Sequence, residues 1–139
     1  MGRNEQQLTV NVEDKAGEVA EGFEGWMGES DEAELLLDVY QDDKNIYIKS
    51  TIAGVEPDDI DIAVNHDMLT IRGQRSSETE VDEADYFYHE CYWGNFSRSI
   101  ILPVEVRTDK IEAEFKNGVL KITLPKMERQ RSIPIKVKD

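Results

Sequence analysis

From Leu35 onward, apolar and polar residues alternate with a period of two. Leu35, Leu37 and Val39 share one parity, followed by Ile46, Ile48 and Ile52, by Ile60, Ile62 and Val64, and by Leu69 and Ile71. Phe96, Ile100 and Leu102 continue the pattern, then Ile111, Ala113 and Phe115, then Leu120, Ile122 and Leu124. The positions between them are mostly polar, as at Asp59, Asp61, Glu112, Glu114, Lys121 and Thr123. Successive strand side chains point to opposite faces, so seven short alternating segments with one wet face each predict an all-β, immunoglobulin-like antiparallel β-sandwich. No stretch here sustains an apolar face at helical spacing.

The breaks in the pattern fit that reading. Asp42-Asp43-Lys44-Asn45, Gly54-Val55-Glu56-Pro57-Asp58 and Asn65-His66-Asp67 separate successive strands. Asn117-Gly118 predicts a two-residue type I′ hairpin turn, because both residues tolerate positive φ. Pro103 and Pro125 end strands, since proline cannot donate to a ladder.

Charge divides the chain. Residues 1–34 hold ten acids against Arg3 and Lys15, and Phe23, Trp26 and Met27 are their one apolar cluster. So little apolar surface cannot offset about 1–2 kcal/mol of backbone entropy per residue, and this arm is expected to be largely disordered. Leu8, Val10 and Val12 alternate and predict a short conditional strand. The sandwich is expected over 35–126, with an acidic insertion at 76–90 ending in Tyr86-Phe87-Tyr88, and an extension over 127–139 that carries Ile133-Pro134-Ile135.

The whole chain has 139 residues, 30 acidic and 16 basic, for a net charge of −14. That length fits one domain with tails. The charge argues against nucleic acid and against an anionic membrane surface, both of which call for basic faces. The single cysteine, Cys91, points to a reducing, cytoplasmic setting. His89 and Cys91 are too few for a zinc site, so no metal is expected. Without a glycine-rich phosphate loop, neither a nucleotide cofactor nor an enzyme activity is expected.

Phe115-Lys116-Asn117-Gly118-Val119-Leu120-Lys121-Ile122-Thr123-Leu124-Pro125 is similar to the signature hairpin of the small heat-shock protein (α-crystallin domain) family. Gly94-Asn95-Phe96-Ser97-Arg98 running to Leu102-Pro103 resembles another of its strands. Leu69-Thr70-Ile71-Arg72-Gly73, Gly54 to Ile60, and Ile133-Pro134-Ile135 follow the same family order. The resemblance implies an ATP-independent holdase, which binds partly unfolded client proteins and prevents their aggregation. It also implies a homodimer made by strand exchange that builds higher homo-oligomers. In that scheme Tyr86, Phe87 and Tyr88 pair with Leu35, Leu37 and Val39 of a second subunit, with Arg98 at the interface. Ile133, Pro134 and Ile135 act as a C-terminal anchor in a groove where Ile60, Ile62 and Val64 face Ile111, Phe115 and Leu120. Phe23, Trp26 and Met27 offer a further client-binding cluster. All six groove residues can equally be read as ordinary sandwich core.

Burying two isoleucines contributes roughly 3–6 kcal/mol, and ordering three backbone residues costs about as much. A single anchor therefore docks weakly, and assembly needs several acting together. An alternative reading is a co-chaperone adaptor of the CS-domain type that binds one specific partner. A third is a purely structural assembly protein.

Overall fold

The computed structural model describes residues 6–12, 32–128 and 137. Among the described residues, ten strands make up two five-stranded sheets, with 3-10 turns in three of the connections and no α-helix. The strands are β1 (Gln6–Leu8), β2 (Val10–Val12), β3 (Ala33–Glu34), β4 (Asp38–Gln41), β5 (Asn45–Thr51), β6 (Ile60–Asn65), β7 (Met68–Arg75), β8 (Gly94–Ile101), β9 (Glu112–Lys116) and β10 (Val119–Pro125). One sheet runs β1-β9-β10-β5-β4 and the other β2-β6-β7-β8-β3.

The alternating residues meet between the sheets. Ile46, Ile48, Ile62, Leu69, Ile71, Leu120, Ile122 and Leu124 are fully buried there, with Phe96, Ala113 and Phe115 beside them. Asn117 and Gly118 adopt φ of 52° and 78°, the left-handed pair that a type I′ turn requires. His66, at φ 58°, turns the β6–β7 hairpin.

Two pairings are parallel, β2 with β6 and β3 with β8, so the sandwich is antiparallel except at two of its margins. Both parallel strands belong to segments that pass from one sheet to the other. Gln6–Leu8 borders β9, and after Thr9 the same segment borders β6 as Val10–Val12. On the opposite flank, Ala33–Glu34 borders β8 and Asp38–Gln41 borders β5. The expected first strand at Leu35–Val39 is therefore split, with Leu35–Leu37 forming the crossing. Part of the 1–34 arm is also paired, at β1, β2 and β3, because Leu8 and Val10 find apolar surface to pack on in the finished sandwich. The cluster of Phe23, Trp26 and Met27 lies outside the described residues, as does Ile133-Pro134-Ile135.

Candidate functional site: two strapped flanks and an aromatic loop

The first flank lies between β6 and β9. The expected groove residues Ile60, Ile62, Val64, Phe115 and Leu120 are buried in the core, and only Ile111 is half-buried. They are not an open surface, because Gln6–Val12 spans the gap above them. Leu8 stands opposite Ala113, and Val10 and Val12 stand opposite Ile62 and Val64. Directly paired strand residues share a face. Leu8 and Val10 accordingly pack against the core, while exposed Thr9 makes the crossing.

The second flank is the segment Ala33–Gln41. Where a chain leaves one ladder for another, its main-chain groups lose their partners and must find others. Here both sheets supply them. The Leu35 amide donates to the Ser97 carbonyl at 3.0 Å. Arg98 Nη1 donates to the Leu35 carbonyl at 3.0 Å, and Ser50 Oγ donates to the Leu36 carbonyl at 2.8 Å. Arg98 on β8 pairs with buried Ile71 on β7, so its stem starts on the inner face and its head reaches the margin. Glu34 completes the arrangement, with a carboxylate oxygen 3.8 Å from Arg98 Nε. The carboxylate that partners Arg98 thus comes from its own chain.

The expected interface residues separate on this flank. Leu35 is core, Leu37 packs half-buried against it, and Val39 is exposed on edge strand β4. Leu35 offers no surface to a partner, because the crossing turns its side chain between the sheets. Leu36, on the other parity, is 76% exposed.

The third region is the loop between β7 and β8. Tyr86-Phe87-Tyr88 is not a strand in the single chain, since no edge runs beside it to take its backbone bonds. A 3-10 turn at Glu83–Asp85 precedes it. His89 Nδ1 lies 3.1 Å from Glu83, and its ring stacks on Tyr86 with centroids 3.9 Å apart. That internal packing leaves Phe87 98% and Tyr88 83% exposed. Val81, Tyr86, His89, Cys91, Tyr92 and Trp93 line an open cleft of about 520 Å³ beneath the loop.

At the β4–β5 turn, Tyr47 donates its hydroxyl to Asp42 at 2.7 Å, and the amides of Lys44 and Asn45 donate to the other carboxylate oxygen. The Tyr47 bond, followed by the two amide bonds, holds the Asp42 carboxyl below its ordinary value, and the same bond raises the Tyr47 phenol. Periodicity gave no sign of this pair, nor of Ser50, because polar partners leave no periodic trace. Asp42 at a turn with Tyr47 following was the available signal.

Among the described residues no group of three or more histidine, cysteine or acidic side chains could hold a metal. No helix of the described residues is long and apolar enough to cross a membrane.

Residues 38–138 match the Hsp20/alpha crystallin family. The chain belongs to this family. Small heat shock protein C2 of Rickettsia felis is 38% identical over 101 residues, covering 73% of this chain and 66% of that protein. The chain therefore spans just under two thirds of that relative's length, and 61% of small heat shock protein C4 from the same organism. Among solved structures, heat shock protein 16.0 of Schizosaccharomyces pombe superposes with a TM-score of 0.67 at 28% identity, covering 89% of this chain and 94% of that one. A small heat-shock protein from Xylella fastidiosa, described as having a distinct high-order structure, gives 0.63 at 26% identity, with 76% and 96% covered. The Hsp20/alpha crystallin family consists of small heat-shock chaperones, not enzymes. Within that frame, the Asn117-Gly118-Val119-Leu120 turn joins β9 to β10 and inserts Leu120 between the sheets.

Proposed function

We propose that the chain is an ATP-independent holdase of the cytoplasm that binds partly unfolded proteins and keeps them from aggregating. The observation that carries this reading is the exposed apolar surface on a chain of the Hsp20/alpha crystallin family. Leu36, Phe87, Tyr88 and Ile101 stand largely free of the core, on a protein whose net charge is −14. Contiguous exposed hydrophobics mark interaction sites, and Phe87 and Tyr88 are neighbours in the chain. The charge supplies the complement, since complexes that keep it repel one another and stay dispersed.

In this reading Tyr86, Phe87 and Tyr88 become a strand only on dimerisation, when they pair with edge strand β4 of a second copy. Edge strands present unpaired backbone groups, and an aromatic segment from a partner would satisfy them. Ile133, Pro134 and Ile135 anchor dimers to one another by entering the β6–β9 groove, as alternate side chains of an extended peptide commonly do. Phe23, Trp26 and Met27 add apolar surface for clients. Nucleic acid and membrane have no part in the scheme.

The test is light scattering from a heat-labile protein warmed with and without an equimolar amount of the full chain, in the absence of nucleotide. Suppressed scattering is the expected result. Unchanged scattering overturns the holdase reading.

A further inference from the structure

The β6–β9 flank is where this chain departs from what its pattern led one to expect: the groove is already filled, and by the chain itself. We propose that Gln6–Val12 is a removable plug, which competes with Ile133-Pro134-Ile135 of another copy for the slot between β6 and β9, and that ionic strength sets the balance between the two. The inference builds on the anchor reading above and adds its regulation.

Three observations carry it. The first is backbone exclusion. Gln6–Leu8 takes the outer edge of β9, and Val10–Val12 takes the outer edge of β6. Each edge has one row of free amides and carbonyls, so a second extended segment can bind only after the first has left.

The second is matched spacing. Leu8 and Val10 are aliphatic residues two apart that pack on the core, on either side of Thr9. Ile133 and Ile135 repeat that spacing around Pro134. Thr9 lies in the crossing, between the two paired strands rather than within either. Proline, which has no amide hydrogen, is tolerated at such a position and would be costly inside a ladder. The slot therefore accepts a proline where the tail has one.

The third is charge. Gln6–Val12 contains no charged residue. The tail from residue 129 to 139 carries Arg129, Arg131, Lys136 and Lys138 against the single acid Asp139. The strands that flank the slot bear Asp61 on β6, and Glu112 and Glu114 against Lys116 on β9, an acidic balance. The tail is drawn by an attraction that salt screens over about 10 Å at 0.1 M, whereas the neutral plug is held by packing and hydrogen bonds that salt barely alters. Low ionic strength favours docking of the tail in the slot, and high ionic strength favours the plug.

The experiment uses the full chain and a fluorescent peptide of residues 129–139. The variant Leu8→Ser with Val10→Ser should bind the peptide at least tenfold more tightly than the unaltered chain, because apparent affinity falls with the fraction of slots that are open. Binding to either protein should weaken as salt is raised. Equal binding by the two proteins overturns the competition while leaving the anchor intact. Absence of binding to both overturns the anchor and the competition together, and binding indifferent to salt overturns the ionic control. A second variant guards against misfolding of the first. Gln7 and Glu114 are directly opposed, within the reach of a disulfide. Gln7→Cys with Glu114→Cys, in a Cys91→Ser background, should lose peptide binding when oxidised and regain it on reduction. Unaltered binding in the oxidised form overturns the proposal.

Discussion

The guanidinium of Arg98 on β8 holds the main-chain oxygen of Leu35, 63 positions earlier in the chain, across 3.0 Å. The bond matters because Leu35 is where the second flank leaves one sheet for the other, and its carbonyl has no ladder to join. Replacing Arg98 by alanine strands that oxygen and also removes the contact with Glu34. A hydrogen bond to a charged group contributes about 1.5–3 kcal/mol. Arg98 is partly exposed, so solvent screening brings the expected loss to about 1–2 kcal/mol. Denaturant unfolding measures the loss, and faster hydrogen exchange at Asp38–Gln41 locates it. Arg98→Lys, with a point charge in place of a planar fork, should recover only part of the stability.

Gly73 on β7 faces Phe96 on β8, and the ring lies over the bare backbone. A Cβ at Gly73 would sit 2.7 Å from the Asp59 carbonyl oxygen and collide with the ring. Gly73→Ala should therefore destabilise by about 1–3 kcal/mol, the usual range for overpacking. Adding Phe96→Leu should relieve the ring collision but not the one with the Asp59 carbonyl. The double variant, compared with each single change, should show a coupling that thermal unfolding can read.

Stability should carry a pH signature from the β4–β5 turn. The carboxyl of Asp42 is held below its ordinary value of 3.8, so its contribution is complete above that value and disappears as pH falls through the lower folded one. The Tyr47 phenol is raised above 10.0, so its contribution is complete below that value and disappears as pH climbs through the higher folded one. Asp42→Asn should flatten the acid side of the melting-temperature profile relative to the unaltered chain. Tyr47→Phe should flatten the alkaline side as well as part of the acid side. Profiles that overlay at both extremes would refute the assignment.

Phe87 and Tyr88 make almost no contact within one chain, so Phe87→Ser with Tyr88→Ser should change the unfolding free energy of the dissociated chain by no more than about 0.5 kcal/mol. Native mass should nevertheless fall toward that of a single chain if the loop supplies the dimer strand. Analytical ultracentrifugation separates the two effects, and an unchanged mass argues against the exchange.

Ile133→Gly with Ile135→Gly removes both anchor side chains and leaves the sandwich sequence intact. The expected outcome is a smaller assembly, seen in native mass measurements, with altered protection of a warmed client protein. An identical mass and identical protection would dismiss the anchor.

The two-layer architecture was legible because alternation is a direct consequence of strand geometry, and Ile62, Ile71, Ile122 and Leu124 obey it without exception. The Asn117-Gly118 turn was legible because few residue pairs accept positive φ at both positions. The sheet crossings were not. Periodicity states which side of a strand faces inward, and it is silent on which sheet the strand joins. Leu35-Leu36-Leu37 looked like the start of a strand when it is the passage between two. The groove residues failed differently: Ile62 and Leu120 have the alternation of any core residue, and whether such a position opens to solvent depends on what covers it. That cover is Leu8 and Val10, far away in sequence, whose parity was visible but whose partner was not.

The order in which the two flanks can close follows from the chain's direction of synthesis. Gln6–Val12 leaves the ribosome well before β9, one of the strands it borders. Pairings so distant in sequence form late and slowly. During translation this neutral segment therefore waits beside nascent strands until β9 emerges, which makes its flank the later of the two to close.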